Sequence, residues 1–371
     1  MLWLDRTLRR AGVTIGGDAP WDVTVHDPRL AARVLAHGSL GLGEAYVEGW
    51  WDCERLDELF ARILRADLQS EVRGLSTLVR VLHAKLINRG RRSRAFVIGR
   101  HHYDLGNDLY SLMLDRRMTY SCGIWDEADT LDAAQEAKLD LVCRKLGLKP
   151  GMRVLDIGCG WGSFAIHAAE RYGVSVVGLT VSREQAELAR ERARTLPVEV
   201  RLQDYREIDE PFDAIASIGM FEHVGPRNYR IFFEVARRCL REDGRFLLHT
   251  IGGNRSVVAG DPWIEKYIFP NSLIPSLRQI TTAVEGLFVL EDLHNIGPHY
   301  DPTLMAWWRN VEVGWHALDG RYGERFRRMW RYYLLSCAAA FRTRYNNVWQ
   351  ILLSPRGIET SSSGLPELRI T

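Results

Sequence analysis

The stretch "VLDIGCGWG" at residues 154–162 decides the fold, because it joins an apolar strand to a glycine-rich turn. An apolar run with one acidic residue, Asp156, is followed by Gly158, Gly160 and Gly162. Glycines at such a turn permit tight backbone conformations and let a ligand approach the main chain at the carboxyl end of a strand. The stretch therefore predicts a strand, a ligand-binding loop and a helix in succession.

Outward from this loop, short apolar strands alternate with amphipathic helices such as "REQAELARERAR" and "NYRIFFEVARRCL". This alternation predicts an α/β fold with a mostly parallel sheet that is covered on both faces. Extra helices rich in Trp, Tyr and Met follow the fifth strand and occupy 303–343, where we expect them to cover the ligand edge. The predicted strands are "MRVLDIG", "VSVVGLT", "VEVRLQD", "FDAIASIGM", "GRFLLHTIG", "FVLEDLHNI" and "VWQILLS".

The rest of the chain divides by composition. Residues 1–88 show helical apolar spacing and predict a small, mainly helical unit. Residues 89–100 change to arginine, serine and glycine and predict a basic linker. We expect the catalytic domain at 101–354 and a polar, flexible tail at 355–371.

Composition and charge exclude several classes of protein. The net charge of +2 gives no global field that would draw the chain onto nucleic acid. No run of about 18 apolar residues and no signal-peptide core occur, so we expect neither a membrane span nor export. The cysteines form no C-x-x-C pair, which argues against structural zinc and a disulfide framework and favours a reducing cytoplasm. They are Cys53, Cys122, Cys143, Cys159, Cys239 and Cys337.

The glycine loop also discriminates between classes of ligand. Its spacing lacks the G-x-G-x-x-G pattern of dinucleotide folds, and the next strand ends in "GLTVSREQ" without the usual acidic residue for a ribose. These features favour S-adenosylmethionine as the cofactor. A dinucleotide, or a loop that serves only a tight turn, is the alternative.

Long motifs along the chain carry a family resemblance. They are "GSLGLGEAYVEGWW", "HYDLGNDLY", "YSCGIW", "VLDIGCGWG", "GMFEHVG", "LHTIG", "DPWIEKYIFP", "YDPTLMAW" and "CAAAFR". From about residue 21 to 350 the chain resembles the bacterial cyclopropane-fatty-acyl-phospholipid synthases, of the mycolic acid cyclopropane synthase superfamily. The resemblance implies a Rossmann-like S-adenosylmethionine-dependent methyltransferase sheet of about seven strands.

The resemblance also implies which residues contact the cofactor. Thr180 and Gln185 stand where other methyltransferases place an acidic residue on the ribose. Tyr120 and Ser121 belong to a segment that would fold over the methionine end of the cofactor. The predicted cofactor residues are Tyr120, Ser121, Asp156, Gly158, Gly160, Gly162, Thr180, Gln185, Gln203 and Asp204.

A base is needed because methyl transfer to an alkene leaves a carbocation, which must lose a proton to close a ring. The resemblance implies a bound bicarbonate ion as that base, held by Glu222, His249, Ile251, Tyr300 and Cys122. Glu222 and His249 follow or end strands four and five, at the edge where α/β sheets bind ligands. An acid at a helix N-terminus is the alternative interpretation of Glu222.

Cys337, in "LLSCAAAF", is the remaining candidate site residue. A thiol among leucines and alanines on a helix is usually part of a core. The resemblance places it at the lipid pocket. Because cyclopropanation needs no nucleophilic thiol, we predict that Cys337 lines this pocket without a chemical role.

The leading hypothesis is an enzyme that transfers a methylene from S-adenosylmethionine across a cis double bond of a phospholipid acyl chain. The N-terminal motif favours phospholipid, since the related enzymes that act on mycolic acids lack that added domain. A fatty acid methyltransferase that makes methyl-branched or methylene chains is the alternative. A non-catalytic lipid-binding module is an alternative of another class, against which the retained motif residues argue.

We also expect a cytoplasmic homodimer that associates peripherally with the inner membrane and binds no nucleic acid. The linker arginines are predicted to contact anionic lipid, with a solvated linker as the alternative. These arginines are Arg89, Arg91, Arg92 and Arg94.

Overall fold

The computed structural model describes residues 1–68, 106–318 and 320–358. The predicted linker with its four arginines lies outside these residues, as does the predicted tail beyond residue 358. Within the described part of the chain, no helix is long and apolar enough to cross a bilayer.

The α-helices of the described residues vary from a single turn and a half to five turns. They are α1 (Leu2–Arg9), α2 (Leu30–Val47), α3 (Leu56–Arg65), α4 (Asn107–Met113), α5 (Leu131–Leu146), α6 (Ser163–Tyr172), α7 (Arg183–Arg192), α8 (Tyr229–Cys239), α9 (Pro262–Tyr267), α10 (Leu277–Val284), α11 (Tyr300–Gly314) and α12 (Glu324–Arg342).

The strands form two sheets. They are β1 (Thr24–Val25), β2 (Trp51–Asp52), β3 (Arg153–Ile157), β4 (Ser175–Thr180), β5 (Val198–Leu202), β6 (Phe212–Ile218), β7 (Leu240–Gly253), β8 (Val289–Asn295) and β9 (Asn346–Ser354). The short β1 and β2 pair with each other in antiparallel fashion.

All seven predicted strands lie in the second sheet, in the order β5–β4–β3–β6–β7–β9–β8. The strands from β5 through β7 run parallel, and β8 pairs with β9 in antiparallel fashion. The prediction of a mostly parallel, seven-stranded α/β sheet is therefore confirmed.

The described residues divide into two compact units. The first contains the N-terminal residues up to 68 together with 258–270 and 300–346, and the second contains most of the remainder, including the seven-stranded sheet. The helices α9, α11 and α12 thus belong to the same unit as α1 to α3. The predicted boundaries at residues 88 and 100 lie outside the described residues and stay predictions.

The core of the second unit lies on both faces of its sheet. Successive side chains of a strand point to opposite faces, so Val154 and Leu155 enter different apolar clusters. Val154 packs in the cluster that includes Leu139 of α5 and Phe164 of α6. Leu155 belongs to the cluster that includes Phe232 of α8. Covering both faces in this way leaves the strand ends as the place for a ligand.

The first unit is organised around α12, which packs against α2, α3 and α11. The Tyr332 ring of α12 lies 5.6 Å from Tyr46, 5.1 Å from Phe60 and 4.5 Å from Trp263. Arg342, at the end of the same helix, forms ion pairs with carboxylates of the N-terminal and later segments. These carboxylates are Asp57, Glu58 and Asp301.

Candidate active site

A cavity in the second unit, here called the cofactor cavity, opens at the carboxyl ends of β3 to β6. Its position is the edge at which α/β sheets bind ligands. The predicted cofactor residue Gly162 does not line it and instead precedes α6. The other nine predicted cofactor residues do line the cavity: Tyr120, Ser121, Asp156, Gly158, Gly160, Thr180, Gln185, Gln203 and Asp204.

The glycine loop has the backbone conformation that its sequence predicts. Gly158, Gly160 and Gly162 have φ values of 90°, 54° and 81°, which side-chain-bearing residues rarely adopt. A Cβ atom on Gly158 would lie 2.7 Å from Met220, whereas one on Gly160 would meet nothing within 4 Å. Gly160 therefore exposes bare main chain to the open space of the cavity, where a ligand can approach closely.

The end of β4 offers polar but uncharged side chains to the cavity. The Thr180 hydroxyl donates to Gln185 Oε1 at 3.0 Å, and Ser182 Oγ accepts the backbone N–H of Gln185 at 3.3 Å as the cap of α7. This rim replaces the carboxylate that dinucleotide-binding folds use at the same place.

Asp204 follows β5 and is buried. Its carboxylate accepts the Arg206 backbone N–H at 3.0 Å and pairs with the Arg206 guanidinium at 2.6 Å. The local ion pair orients Asp204 and offsets its charge, so this residue adds shape and hydrogen-bonding capacity to the cavity rather than net charge.

The segment that begins with α4 is attached to the glycine loop by aromatic contacts. The indole N–H of Trp161 donates to Asn107 Oδ1 at 3.0 Å. The Tyr110 ring lies 4.8 Å from Trp161 and 5.3 Å from Tyr120. These contacts help to hold Tyr120 and Ser121 at the lining of the cavity, and their contact with the cofactor stays a prediction.

A buried turn completes this segment. The Asp115 carboxylate accepts the backbone N–H groups of Thr119 at 2.7 Å and Arg117 at 3.0 Å. Met118, inside the turn, has a φ of 56°. The carboxylate thus compensates for a tight backbone conformation immediately before Tyr120.

Asp156 is the acidic group of the cofactor cavity. Its side chain is buried, and its Oδ2 has no hydrogen-bond partner among the described residues. Burial raises the pKa of this carboxyl to about 7, against the opposing charge of Lys138. An unsatisfied carboxylate oxygen beside an open cavity suits a cationic or hydrogen-donating ligand.

Glu222 lies in a short turn whose neighbours Met220 and His223 line the cofactor cavity. The backbone N–H of Ile251 donates to Glu222 Oε1 at 2.6 Å, while Oε2 has no partner among the described residues. Burial raises the pKa of the Glu222 carboxyl to about 7. The structure therefore brings Glu222 and Ile251 into contact and leaves one acceptor oxygen for a ligand.

His249 sits on β7 beside the end of β6, where its carbonyl accepts the Gly219 N–H at 2.9 Å. Burial lowers the pKa of the imidazole well below its usual value, so the ring is neutral at pH 7. Its Nδ1 lies 3.5 Å from the side-chain amide of Gln350. Gln350 was not predicted as a site residue, and its only signal was a polar residue inside the apolar strand "VWQILLS".

The other predicted catalytic residues divide between the two units. Cys122 is buried in the second unit, with Sγ 3.3 Å from the Gly123 carbonyl oxygen and 3.7 Å from that of Ile296. Tyr300 and Cys337 belong to the first unit. Their roles in the site stay predictions.

Each of these two residues has a defined environment within the first unit. The Tyr300 ring lies 4.5 Å from Phe341 and 5.8 Å from Trp307. Burial raises the pKa of the Cys337 thiol to about 12. The thiol is therefore protonated at neutral pH, which does not suit a nucleophile.

Comparisons with known proteins agree with this geometry. The family model for mycolic acid cyclopropane synthetase matches residues 91–351. A cyclopropane-fatty-acyl-phospholipid synthase of Escherichia coli K12 is 52% identical over 353 residues, which cover 95% of this chain and 92% of the relative. A tuberculostearic acid methyltransferase of Mycobacterium tuberculosis is 33% identical over 366 residues, 90% of this chain and 83% of the relative.

A solved structure extends the comparison to the site. A mycolic acid cyclopropane synthase in complex with SAH and CTAB is 37% identical, with a TM-score of 0.64 over 70% of this chain and 97% of that one. This chain has the seven-stranded sheet and the cavity at its edge, and the similar structure binds SAH. Together these findings define the chain as an S-adenosylmethionine-dependent methyltransferase. The chain belongs to the mycolic acid cyclopropane synthetase family. The predicted family and enzyme class are thereby confirmed.

Proposed function

We propose that this enzyme transfers a methylene from S-adenosylmethionine across a cis double bond of an unsaturated phospholipid acyl chain. The observation that carries the proposal is the position of Glu222, which presents a buried, unsatisfied carboxylate oxygen on the turn that lines the cofactor cavity. Ring formation requires both methyl transfer and proton loss, and the cofactor cavity with the neighbouring Glu222 supports a site for these steps. The relative from Escherichia coli, which shares nearly the whole chain, supports phospholipid as the substrate.

The cofactor residues bind and orient rather than react. S-adenosylmethionine supplies an activated methyl group on a positively charged sulfur. The bare main chain at Gly160 permits close approach, and Asp156 offers negative charge to a cationic ligand. An isolated alkene is a weak nucleophile, so positioning in a dry cavity contributes most of the rate.

We infer that bicarbonate is the base, held by Glu222, His249, Ile251, Cys122 and Tyr300. Bicarbonate would supply the acceptor for the proton that leaves during ring closure. Glu222 Oε2 can accept the O–H of the ion, and the neutral His249 ring can donate to its oxygens. Ile251 acts through its N–H, which fixes the Glu222 carboxylate.

Turnover with a defined substrate tests the enzymatic function. The purified chain is incubated with S-adenosylmethionine and vesicles of a cis-unsaturated phospholipid, and the lipids are analysed by mass spectrometry. We expect a gain of one CH₂ per modified acyl chain and equimolar release of S-adenosylhomocysteine. Cofactor binding without either product would identify a non-catalytic lipid-binding module.

Carbonate depletion tests the identity of the base. The turnover rate should fall in carbonate-free buffer and recover when bicarbonate is added, while chloride at equal ionic strength serves as the control. A rate that is indifferent to depletion would exclude bicarbonate and leave a side chain as the base.

A methyl-branched or methylene product is the second candidate, because the tuberculostearic acid methyltransferase aligns with most of this chain. Cofactor with a trideuterated methyl group distinguishes a ring from a methyl branch. A ring and an exocyclic methylene both keep two deuterium atoms because one leaves as a deuteron, and the two are told apart by the alkene carbons that only the methylene product retains. A methyl branch formed by loss of a proton from the chain keeps all three. Retention of all three would favour the second candidate.

We further propose a cytoplasmic homodimer bound peripherally to the inner membrane, in which Cys337 lines the lipid pocket. Each linker arginine at an anionic surface contributes about 1 kcal/mol, so four would give reversible, salt-sensitive contact. Vesicle sedimentation across a salt series, with the four arginines changed to glutamine, tests the membrane part. Equal binding by both proteins at low salt would contradict it. Sedimentation velocity tests the dimer.

A further inference from the structure

The buried face of α5 carries polar side chains where a helix on a sheet normally places apolar ones. Gln135, Lys138 and Lys145 are all fully buried, and their spacing places them on the same side of the helix. A buried lysine needs compensation, because removing an ammonium from water is costly. Lys145 is compensated by a salt bridge with Asp292 at 2.9 Å.

Lys138 is compensated in a different way. Its ammonium donates to Ser121 Oγ at 2.9 Å, and it forms no salt bridge with the described residues. Gln135, one turn earlier, donates its side-chain amide to the Ser121 carbonyl at 2.7 Å. Two buried side chains of α5 therefore hydrogen-bond to Ser121 of the cofactor cavity: Lys138 contacts its hydroxyl and Gln135 contacts its main-chain carbonyl.

The ammonium also lies among the ionisable groups of the site. Asp115, Cys122 and Asp156 exert their charge on Lys138, and Lys138 in turn exerts its charge on His249. Of these, Asp156 lines the cofactor cavity and has an oxygen with no partner among the described residues. Because the interior screens charge weakly, a buried ammonium nearby favours the ionised form of this carboxyl.

We propose that Lys138 is a positioning residue that holds Ser121 at the cofactor cavity and supplies a positive charge that balances the Asp156 carboxylate beside the cationic cofactor. This role rests on the proposed function only in that S-adenosylmethionine occupies the cavity. Replacing Lys138 by Met removes both the hydrogen bond and the charge. Replacing it by Arg keeps the charge, and Ser121→Ala removes only the hydrogen bond.

The test is calorimetric titration with S-adenosylmethionine and S-adenosylhomocysteine between pH 5.5 and 9. The wild-type midpoint is expected near pH 7, below the pKa of about 8 to which burial lowers Lys138. In the wild type, affinity should fall as the pH drops and Asp156 is protonated. In Lys138→Met the midpoint of this fall should move upward by about one pH unit, the lower end of the effect of a nearby opposite charge. At pH 7 the variant should then bind several-fold more weakly, and Lys138→Arg should restore the midpoint.

Ser121→Ala and Lys145→Met are the controls. Ser121→Ala removes the hydroxyl that Lys138 holds and should weaken binding across the whole pH range. Lys145→Met removes a buried lysine from the same helix face and should leave the midpoint in place. If Lys138 has only a structural role, Lys138→Met should lower the stability of the protein as Lys145→Met does, and it should not move the pH midpoint of cofactor affinity.

The possible outcomes separate this proposal from the proposed function. A folded Lys138→Met variant with the wild-type midpoint overturns the role of the charge. If Lys138→Met does not fold, Lys138→Gln removes the charge while keeping a hydrogen-bond donor. The pH midpoint of cofactor affinity in Lys138→Gln then tests the role of the charge in the same way. Failure of the wild type to bind either ligand would instead contradict the proposed function.

Discussion

Replacement of Glu222 by Gln should make the protein more stable and the enzyme far less active. The structure places this carboxyl in the interior, where one oxygen accepts the Ile251 N–H at 2.6 Å and the other has no partner among the described residues. Glutamine has the same shape and can still accept that N–H through its carbonyl oxygen. The substitution therefore removes a charge while leaving the packing in place.

The magnitude follows from the pKa. Burial raises the pKa of Glu222 from 4.5 to about 7, so the folded state favours the neutral acid. The contribution of Glu222 to the free energy of unfolding is therefore fully present below pH 4.5, the pKa in the unfolded chain, and is lost as the pH rises through about 7, the pKa in the folded protein. At 1.36 kcal/mol per pH unit, the wild type loses about 3 kcal/mol over this range, which the Gln variant does not lose.

Activity should move in the opposite direction. A positioned base contributes about 10²–10⁴-fold to a rate, so a variant that cannot organise the base should lose a comparable factor. The KM for S-adenosylmethionine should change little, because Glu222 does not line the cofactor cavity.

Unfolding midpoints of wild type and Glu222→Gln at pH 5 and pH 8.5, together with turnover, provide the assay. We expect similar midpoints at pH 5 and a higher midpoint for the variant at pH 8.5. Equal midpoints of wild type and variant at pH 8.5 as well as at pH 5 would show that Glu222 is ionised in the folded protein at no cost, and full turnover of the variant would remove this residue from the reaction.

Other predictions concern the cofactor cavity and its neighbours. Gly160→Val should abolish S-adenosylhomocysteine binding by titration, because its side chain enters the cavity, whereas Gly286→Val, with similar φ and space but outside the cavity, should not. Asp156→Asn should remove the fall in affinity below about pH 7, and a persisting fall would assign it to another group. His249→Gln should lower turnover about 10²-fold or more while keeping cofactor affinity, as separate kinetic and titration experiments would show. Cys337→Ala should keep kcat, since burial holds the thiol protonated; a large loss of kcat would give it a chemical role.

The fold could be predicted from the sequence because its signals are local. The strands β3, β4 and β6 are short runs rich in apolar residues, and their alternation with helices specifies parallel pairing. The grouping of α11 and α12 with the N-terminal residues could not be predicted in this way. It depends on contacts of distant residues, such as those of Arg342 with Asp57 and Glu58, which no local pattern encodes.

The position of the glycine loop could be predicted because glycine spacing and strand ends are visible in the sequence, whereas Tyr120, Ser121, Thr180 and Gln185 were proposed from the family resemblance. The polar residues behind the cofactor cavity were not predicted. Lys138 and Gln135 lie in "LDAAQEAKLDLVCRKL", where charged residues normally indicate a solvated face. Gln350 likewise interrupts an apolar strand without any local sign that it faces His249. Such residues are identified only when the tertiary structure shows what they contact.

Proton NMR of the lipid product tests the central claim most directly. The purified enzyme is given S-adenosylmethionine and a phospholipid with one cis double bond per acyl chain, and the extracted lipid is compared with that from the Glu222→Gln variant. We predict ring protons far upfield of the acyl methylenes for the wild type, with matching loss of the vinyl protons. A new methyl or exocyclic methylene signal on a chain that keeps a double bond, with no upfield ring protons, would contradict cyclopropane formation.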